Sequence, residues 1–241
     1  MLGPLELLEI QLATLFDLDG RGRIAGVNKS EASTAPRLYL GRTTQGCLLR
    51  VRADLPDALA DALGAIAARE PPLAQLRASA PPPAPAAALA KALADALGPW
   101  EREYRGPAFL LPEAGGDADP AGRASARLVT PANVGRLAGP FDWLVAELAD
   151  ISPTVVVVER GETVSVCHCA RRGLRAAEAG VETVPAARGR GHARAAVAAW
   201  ARHVRAAGLL PLYSTWWENR ASLAVAAALG GRVYAEDFHL T

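Results

Sequence analysis

The chain has 241 residues, of which 51% are hydrophobic, and its formal net charge is +1. This length is enough for one large domain or two small ones with a buried core. The charge is too small for a protein that binds nucleic acid through a general basic field, and no apolar run reaches the ~18 residues that a membrane span needs. We therefore expect a globular protein that binds neither nucleic acid nor a membrane.

The N-terminal stretch and the cysteines predict a cytoplasmic protein. MLGPLELLEIQLATLFDLD carries no basic segment of a secretory signal, and Cys47, Cys167 and Cys169 imply no disulfide framework. On a strand, His168 points away from both neighbouring cysteines, so CHC favours buried thiols, and we expect no metal site. Arginine replaces lysine almost throughout. This bias is typical of a GC-rich genome, and we expect a bacterial source.

Residues 1–112 show a mixed pattern of helices and strands. Helical spacing covers Leu5 to Thr14 and Leu55 to Arg69, and RLYLGRTTQGCLLRVRA predicts a pair of strands. The proline-rich ASAPPPAPAAALA then leads into a helix, AAALAKALADALG. A loose stretch rich in Gly, Asp and Pro follows at 111–126. We interpret this region as an additional N-terminal α/β subdomain of unknown role.

The stretch LFDLDG resembles the nucleophile motif of haloacid-dehalogenase-like phosphatases, with Asp17 as nucleophile and Asp19 as acid. Lys91 and Asp117 are possible later members of that motif. The resemblance is incomplete, because Arg21 replaces the usual Thr or Val and the preceding residues have helical spacing. We interpret the stretch as a glycine-rich turn between two strands, with a phosphatase as an alternative.

Residues 126–241 have a regular pattern in the order β-α-α-β-β-β-α-β-α-β. Six segments predict strands: ARLVT, TVVVV, ETVSVCHCA, AAEAGVETV, LLPLYST and RVYAEDFHL. PANVGRLA and FDWLVAELAD predict two helices, and two more are predicted from Ala193 to Ala207 and from Asn219 to Leu229. The pattern predicts a second domain of the α/β (α+β) class, a mixed central sheet flanked by helices.

The segment RGRGHA, residues 188–193, lies between a predicted strand and a predicted helix. A solvated loop, an arginine-glycine nucleic-acid tail and a phosphate-binding turn are the alternatives. A nucleic-acid tail would be longer, low in complexity and interleaved with aromatic residues. Gly189 and Gly191 permit a tight turn that points the first N–H groups of the helix outward, and Arg188 and Arg190 add positive charge. We interpret the segment as a pyrophosphate site, although it is neither a P-loop nor G-x-G-x-x-G.

The order of strand, Pro185 and then Arg188-x-x-Gly191-x-Ala193 resembles the R/Q-x-x-G-x-G/A motif of the GNAT superfamily of N-acetyltransferases. ENRASLAVAAALG is similar to the second motif of this superfamily, in which an asparagine, here Asn219, opens a helix that ends in Leu-Gly. The resemblance covers roughly residues 126 to 241. It implies a GNAT-like fold and an acetyl-CoA-dependent N-acetyltransferase that transfers an acetyl group directly to an amine.

The resemblance also implies which residues bind acetyl-CoA. The strand ending in VET would hold the pantetheine arm, the segment 188–193 the pyrophosphate, and the second motif would contact the arm from the other side. The implied cofactor residues are Val181, Thr183, Arg188, Gly189, Arg190, Gly191, His192, Ala193, Asn219 and Ser222. The acceptor is a small-molecule or peptide amine, or a lysine side chain, which the sequence does not specify.

The acid that protonates the CoA thiolate is the point at which the sequence departs from the superfamily. Many members have a tyrosine seven residues after the asparagine, whereas this chain has Ala226. Tyr213 is our candidate, and the other possible donors are Ser214, Ser222, Tyr234 and solvent. The missing tyrosine also leaves a non-catalytic acyl-CoA-binding module as an alternative function.

Two carboxylates are candidates for the base that deprotonates the acceptor amine. Glu178 and Glu182 are four positions apart on the predicted cofactor strand, so they lie on the same face. Glu178 lies in a mostly apolar run, where burial would raise its pKa, and it is our first candidate. Both residues could instead be solvated or ion-paired strand residues.

Overall fold

The computed structural model describes residues 2–28, 34–77, 82–84, 86–113 and 125–241. Its α-helices are α1 (Pro4–Leu15), α2 (Asp57–Ala67), α3 (Ala87–Leu97), α4 (His192–Ala206) and α5 (Arg220–Ala228). Its strands are β1 (Phe16–Leu18), β2 (Ile24–Val27), β3 (Leu38–Thr43), β4 (Gly46–Val51), β5 (Glu103–Leu110), β6 (Ser125–Leu128), β7 (Val155–Glu159), β8 (Glu162–Arg172), β9 (Ala176–Thr183), β10 (Leu210–Ser214) and β11 (Arg232–Leu240). Its 3-10 helices are Pro131–Leu137, Asp142–Leu144 and Pro185–Ala187. No helix in the described ranges has the length and apolar character needed to cross a membrane.

The chain forms two compact units. The first unit comprises Met1–Phe109, Ser214–Leu223 and Val233–Thr241, and the second comprises Leu110–Tyr213 and Ala224–Arg232. The first unit therefore contains nearly all of β11, although β11 lies in the segment 126–241. The two units thus do not coincide with the predicted segments 1–112 and 126–241. That those two segments are separate domains stays a prediction.

The strands of the first unit lie in the order β4-β3-β11-β5, with β3 antiparallel to both of its neighbours. Leu38 and Leu40 of β3 pack with residues of α2 and α3 in one buried cluster. Gly41 points to the opposite face, where a Cβ atom would lie 2.4 Å from Cδ1 of Leu8 in α1. The sheet of this unit therefore lies between α1 on one face and α2 and α3 on the other.

The strands of the second unit lie in the order β10-β9-β8-β7-β6, and only β10 and β9 are parallel. Val156 and Val166 face a buried cluster formed with the 3-10 helices and the residues around them. Their neighbours Val155 and Cys167 point to the other face and are also fully buried. Because α4 contacts β7, β8 and β9, both faces of this sheet are covered.

The predicted mixed α/β class, with a sheet flanked by helices, is confirmed. The predicted helices in PANVGRLA and FDWLVAELAD are wrong in type, because these segments form 3-10 helices at Pro131–Leu137 and Asp142–Leu144. In the first, Asn133 has a non-helical φ of −129° and its side chain accepts a hydrogen bond from the N–H of Thr130. This bond belongs to a capping box that stabilises the start of the segment, and the non-helical backbone at Asn133 interrupts a regular helix.

Candidate functional site

The two edges of β9 differ in their partners. On one edge, β9 pairs with β8 from Ala177 to Thr183. On the other edge, β10 pairs with it only through Ala176, Ala177 and Glu178. Within the described part of the second unit, the backbone from 179 to 183 therefore has no strand partner on that side, and those of its N–H and C=O groups that do not bond to β8 can bind an extended ligand.

The turn after β9 leads directly into the N-terminus of α4. Gly189 and Gly191 have φ values of +74° and +85°, a backbone region that favours glycine, and a Cβ atom at either position would have no other atom within 4 Å. Gly191 is the N-cap of α4, and the N–H of Ala195 donates the first bond of the helix to its carbonyl. The start of α4 thus borders open space, and its first N–H groups, which have no partner within the helix, favour an anion.

The basic side chains of this turn have different surroundings. Among the described residues, Arg188 makes one hydrogen bond, from Nε to the carbonyl oxygen of Thr183 at 3.2 Å. Arg190 forms an ion pair between Nη1 and Oε2 of Glu159 at 2.9 Å. His192 is 5% exposed, and its Nε2 lies 3.8 Å from the same Glu159 oxygen.

The two candidate bases lie on the same face of β9 but differ in burial. Glu178 is 5% exposed and lies opposite Arg171 of β8, whereas Glu182 is exposed to solvent. Between them, a Cβ atom at Gly180 would lie 2.8 Å from Cε1 and Nε2 of His168. The space left by the glycine side chain is therefore filled by an imidazole.

His168 was not among the predicted site residues. It is 8% exposed, and its ring packs edge-on against Trp143 with 5.8 Å between ring centroids. Burial, assisted by the positive charge of Arg171, lowers the pKa of His168 to about 4. The imidazole is therefore neutral near pH 7 and packs as part of this face.

The other strand residues implied to bind the cofactor take part in the sheet. Thr183 pairs with Ser165 of β8, and their hydroxyl oxygens lie 2.8 Å apart. The Ser165 hydroxyl also lies 2.7 Å from the carbonyl oxygen of Glu182, to which it can donate. Val181 pairs with Cys167 and is half-buried. We therefore expect Val181 and Thr183 to contact a ligand through their backbone N–H and C=O groups and not through their side chains.

Asn219 and Ser222 lie in the first unit. Asn219 caps α5, because its Oδ1 accepts a hydrogen bond from the N–H of Ser222 at 3.1 Å.

Two of the candidate acids for the CoA thiolate are buried tyrosines. Tyr213 is 2% exposed, and Tyr234, also 2% exposed, donates to Oε1 of Gln11 at 2.9 Å. Ala226, at the position of the superfamily tyrosine, is fully buried.

LFDLDG forms the predicted turn between two strands, since β1 and β2 pair antiparallel. Oδ1 of Asp19 accepts hydrogen bonds from the N–H groups of Arg21 and Arg23, both at 2.9 Å. These bonds, that from Arg23 foremost, lower the pKa of Asp19. Lys91 pairs with Asp95 on α3 at 2.6 Å, and Asp117 lies outside the described residues. The carboxylate of Asp19 thus stabilises a turn.

The first unit contains two buried carboxylates that the sequence did not single out. Glu236 is fully buried and accepts hydrogen bonds from Nε of Arg42 at 2.8 Å and from Nε1 of Trp217 at 3.1 Å. Asp237 is 2% exposed and accepts from Tyr39 at 2.5 Å and from Gln11 at 2.7 Å. In the described ranges, no group of three or more His, Cys, Asp or Glu side chains is arranged to hold a metal ion.

Residues 153–236 match the family model described as GNAT acetyltransferase. The resemblance to the GNAT superfamily seen in the sequence is therefore confirmed, and the family model matches about a third of the chain. No curated protein matches the chain.

Three solved structures illustrate the similarity. A GCN5-related N-acetyltransferase-like protein from Streptococcus suis is 18% identical, with 88% of this chain and 86% of that chain covered and a TM-score of 0.50. A GNAT-family acetyltransferase from Colwellia psychrerythraea is 13% identical, with 99% and 96% covered and a TM-score of 0.47. A protein of the GNAT family from Novosphingobium aromaticivorans is 20% identical, with 58% of this chain and 65% of that chain covered and a TM-score of 0.45. This last match thus spans slightly less than two thirds of that protein. The Streptococcus structure shows that the chain shares its fold.

Proposed function

We propose that the chain is an acetyl-CoA-dependent N-acetyltransferase that transfers an acetyl group directly to an amine. The observation that carries the proposal is the strand-turn-helix unit of β9, segment 188–193 and α4. It combines a free strand edge with a helix N-terminus that points into open space, and it lies within the region that matches the GNAT family.

The residues of β9, of the segment 188–193 and of the start of α4 fit two polar parts of CoA, the amide groups of the pantetheine arm and the pyrophosphate. The backbone from 179 to 183 can pair with the amide groups of the pantetheine arm, as an added strand would. The N–H groups at the start of α4 and the guanidinium of Arg188 suit a pyrophosphate, and the absence of side chains at Gly189 and Gly191 leaves room for it. Asn219 and Ser222 belong to the first unit, and their contacts to the cofactor stay predictions from the sequence.

The transfer needs a base for the amine and an acid for the thiolate. We assign the base to Glu178, with Glu182 as the alternative: the carboxylate accepts the amine proton as the nitrogen forms a bond to the acetyl carbon and the C–S bond breaks. N–H groups of β9 would stabilise the developing oxyanion. We assign protonation of the thiolate to Tyr213, because Ala226 has no proton to give.

The acceptor is proposed to be a small-molecule or peptide amine, and the protein is proposed to act in the bacterial cytoplasm. Ala226 favours one alternative of a different kind, a protein that binds acyl-CoA without transferring the acyl group. Release of free CoA thiol from acetyl-CoA in the presence of a panel of amines distinguishes the enzyme from the binding protein.

The cofactor assignment is tested by Gly191→Glu, which places a side chain and a negative charge at the helix N-terminus. Calorimetry with CoA should show no binding, while circular dichroism shows an intact fold. Gly208→Glu is the matched control, since Gly208 follows the other end of α4, has a φ of +75° and also has no atom within 4 Å of a Cβ. If Gly191→Glu binds CoA as the wild type does, the assignment is wrong.

A further inference from the structure

Glu159 connects the end of β7 to the glycine-containing turn. Its Oε2 lies 2.9 Å from Nη1 of Arg190 and 3.8 Å from Nε2 of His192. The Glu159 side chain is 17% exposed, so the ion pair is partly shielded from water. One carboxylate oxygen thus contacts residues on both sides of Gly191.

The remaining contacts of Arg190 also lie within the turn. Its Nη2 donates to the carbonyl oxygen of Ala186 at 3.3 Å, and its Nε to that of Ala187 at 3.5 Å. The guanidinium therefore bridges Glu159 to the backbone just before the turn. Arg188 differs, because its one hydrogen bond among the described residues uses Nε and leaves both Nη groups for a ligand.

We propose that Glu159 is a positioning residue for the segment 188–193, and that Arg190 holds this turn in shape instead of contacting the bound anion. The inference rests on the proposed function in that the anion is taken to be the pyrophosphate of CoA. The pair of Glu159 and Arg190 is neutral overall, so Arg188 and the helix N-terminus supply the positive charge that the anion meets.

The sequence of the turn explains why such an anchor is needed. Gly189 and Gly191 lose more conformational entropy on ordering than other residues, and neither offers a side chain to fix the turn. An ion pair from a neighbouring strand supplies that fixation before the ligand arrives, and preorganisation of this kind increases affinity.

Hydrogen exchange of the amides from 189 to 194 in the ligand-free protein tests first whether the ion pair keeps the turn ordered. Glu159→Gln and Arg190→Gln should each increase exchange in this segment and leave the second half of α4 unchanged. Glu162→Gln is the matched control, because Glu162 is an exposed carboxylate in the same β7–β8 hairpin. Unchanged exchange in Glu159→Gln would overturn the inference, whether or not the protein binds CoA.

Calorimetry with CoA then tests the consequence for binding. Glu159→Gln should raise the Kd about tenfold, the effect of losing one charge-assisted hydrogen bond. The double variant should lose no more affinity than the weaker of the two single variants, since both substitutions remove the same interaction. Raising the salt concentration should weaken CoA binding to wild type and to the double variant equally, because these two side chains have no net charge in either protein, and to Arg188→Gln less.

Two other outcomes have distinct meanings. Tighter binding of CoA by Glu159→Gln would show that released Arg190 contacts the phosphates, and the inference would be wrong. A wild-type protein that binds no CoA would overturn the proposed function, while the exchange measurement would still decide the role of Glu159.

Discussion

Glu178 and Glu182 point to the same side of β9, but only Glu178 is shielded from water. In the proposed function Glu178 is the base, and a buried carboxylate can take a proton from the acceptor amine without competition from solvent. We expect Glu178→Gln to lower kcat/KM by a factor of about 10²–10⁴ at neutral pH, which corresponds to roughly 3–5 kcal/mol of barrier. Steady-state rates with an acceptor identified from the amine panel provide the measurement.

The pH dependence of the rate separates a base from a structural residue. A base acts when deprotonated, so the wild-type rate should rise with pH through an apparent pKa, and Glu178→Gln should flatten that rise. Glu182→Gln serves as the comparison and should leave the profile unchanged. The reverse pattern would move the assignment to Glu182.

Single residues of the candidate site were predictable from the sequence where they form a local motif, and they were missed where strand pairing brings them together. Arg188 and Gly191 were singled out because their spacing within one turn carries the signal, and their role in binding stays a prediction. Glu159 lies 31 positions before Arg190, and only the register of β7, β8 and β9 brings the two together. His168 was considered only as a metal ligand, since its packing against Gly180 requires the pairing of β8 with β9.

At the scale of elements, the strand missed in the sequence is β5. It contains Gly106 and Pro107, which argue against a sheet interior. The structure shows why glycine is needed, because a Cβ atom at Gly106 would lie 1.7 Å from the carbonyl oxygen of Thr215. The predicted β3–β4 and β7–β8 hairpins were found correctly because alternation and turn residues are local signals.

This close contact predicts the effect of one added methyl group. Gly106→Ala should lower the free energy of unfolding by roughly 2–4 kcal/mol, since the obstructing atom belongs to the backbone and β5 must move. Gly64→Ala is the control: Gly64 lies inside α2 with no atom within 4 Å of a Cβ, so alanine should stabilise by up to about 1 kcal/mol. Urea denaturation measures both, and a stable Gly106→Ala protein would contradict the expectation.

At the scale of the whole molecule, Asp237 makes the stability of the fold depend on pH. Burial raises the pKa of Asp237 to about 7 from its ordinary value of 3.8, although the hydrogen bonds from Tyr39 and Gln11 oppose the rise, and neighbouring Glu236 adds to it. Between about pH 4 and pH 7, the Asp237 carboxyl is therefore protonated in the folded state and ionised in the unfolded state. Stability contributed by the protonated form is complete below this window and is lost as pH rises through 7.

We expect the contribution of Asp237 to the free energy of unfolding to fall by about 2–3 kcal/mol between pH 5 and pH 8, at 1.36 kcal/mol per pH unit of the window. It is measured as the difference between wild type and Asp237→Asn, because burial lowers the pKa of His168 and of His239 to about 4 and these groups change stability in the opposite direction over part of the same range. Asp237→Asn mimics the protonated carboxyl and should remove most of this dependence. Asp61→Asn, which changes an exposed carboxylate of α2, should leave it unchanged. Urea titrations at a series of pH values measure all three proteins, and an equal slope in wild type and Asp237→Asn would contradict the expectation.

The position of β11 has a consequence for synthesis on the ribosome. β3 pairs with β11 through Leu38 and Leu240, which are about 200 positions apart. At a translation rate of about 5–20 residues per second, β3 waits at least about 10 s for this partner. During that interval the helices that cover the two faces of β3 are already made, but the N–H and C=O groups of its edge toward β11 have no strand partner, so this edge is open to pairing with other chains until β11 emerges.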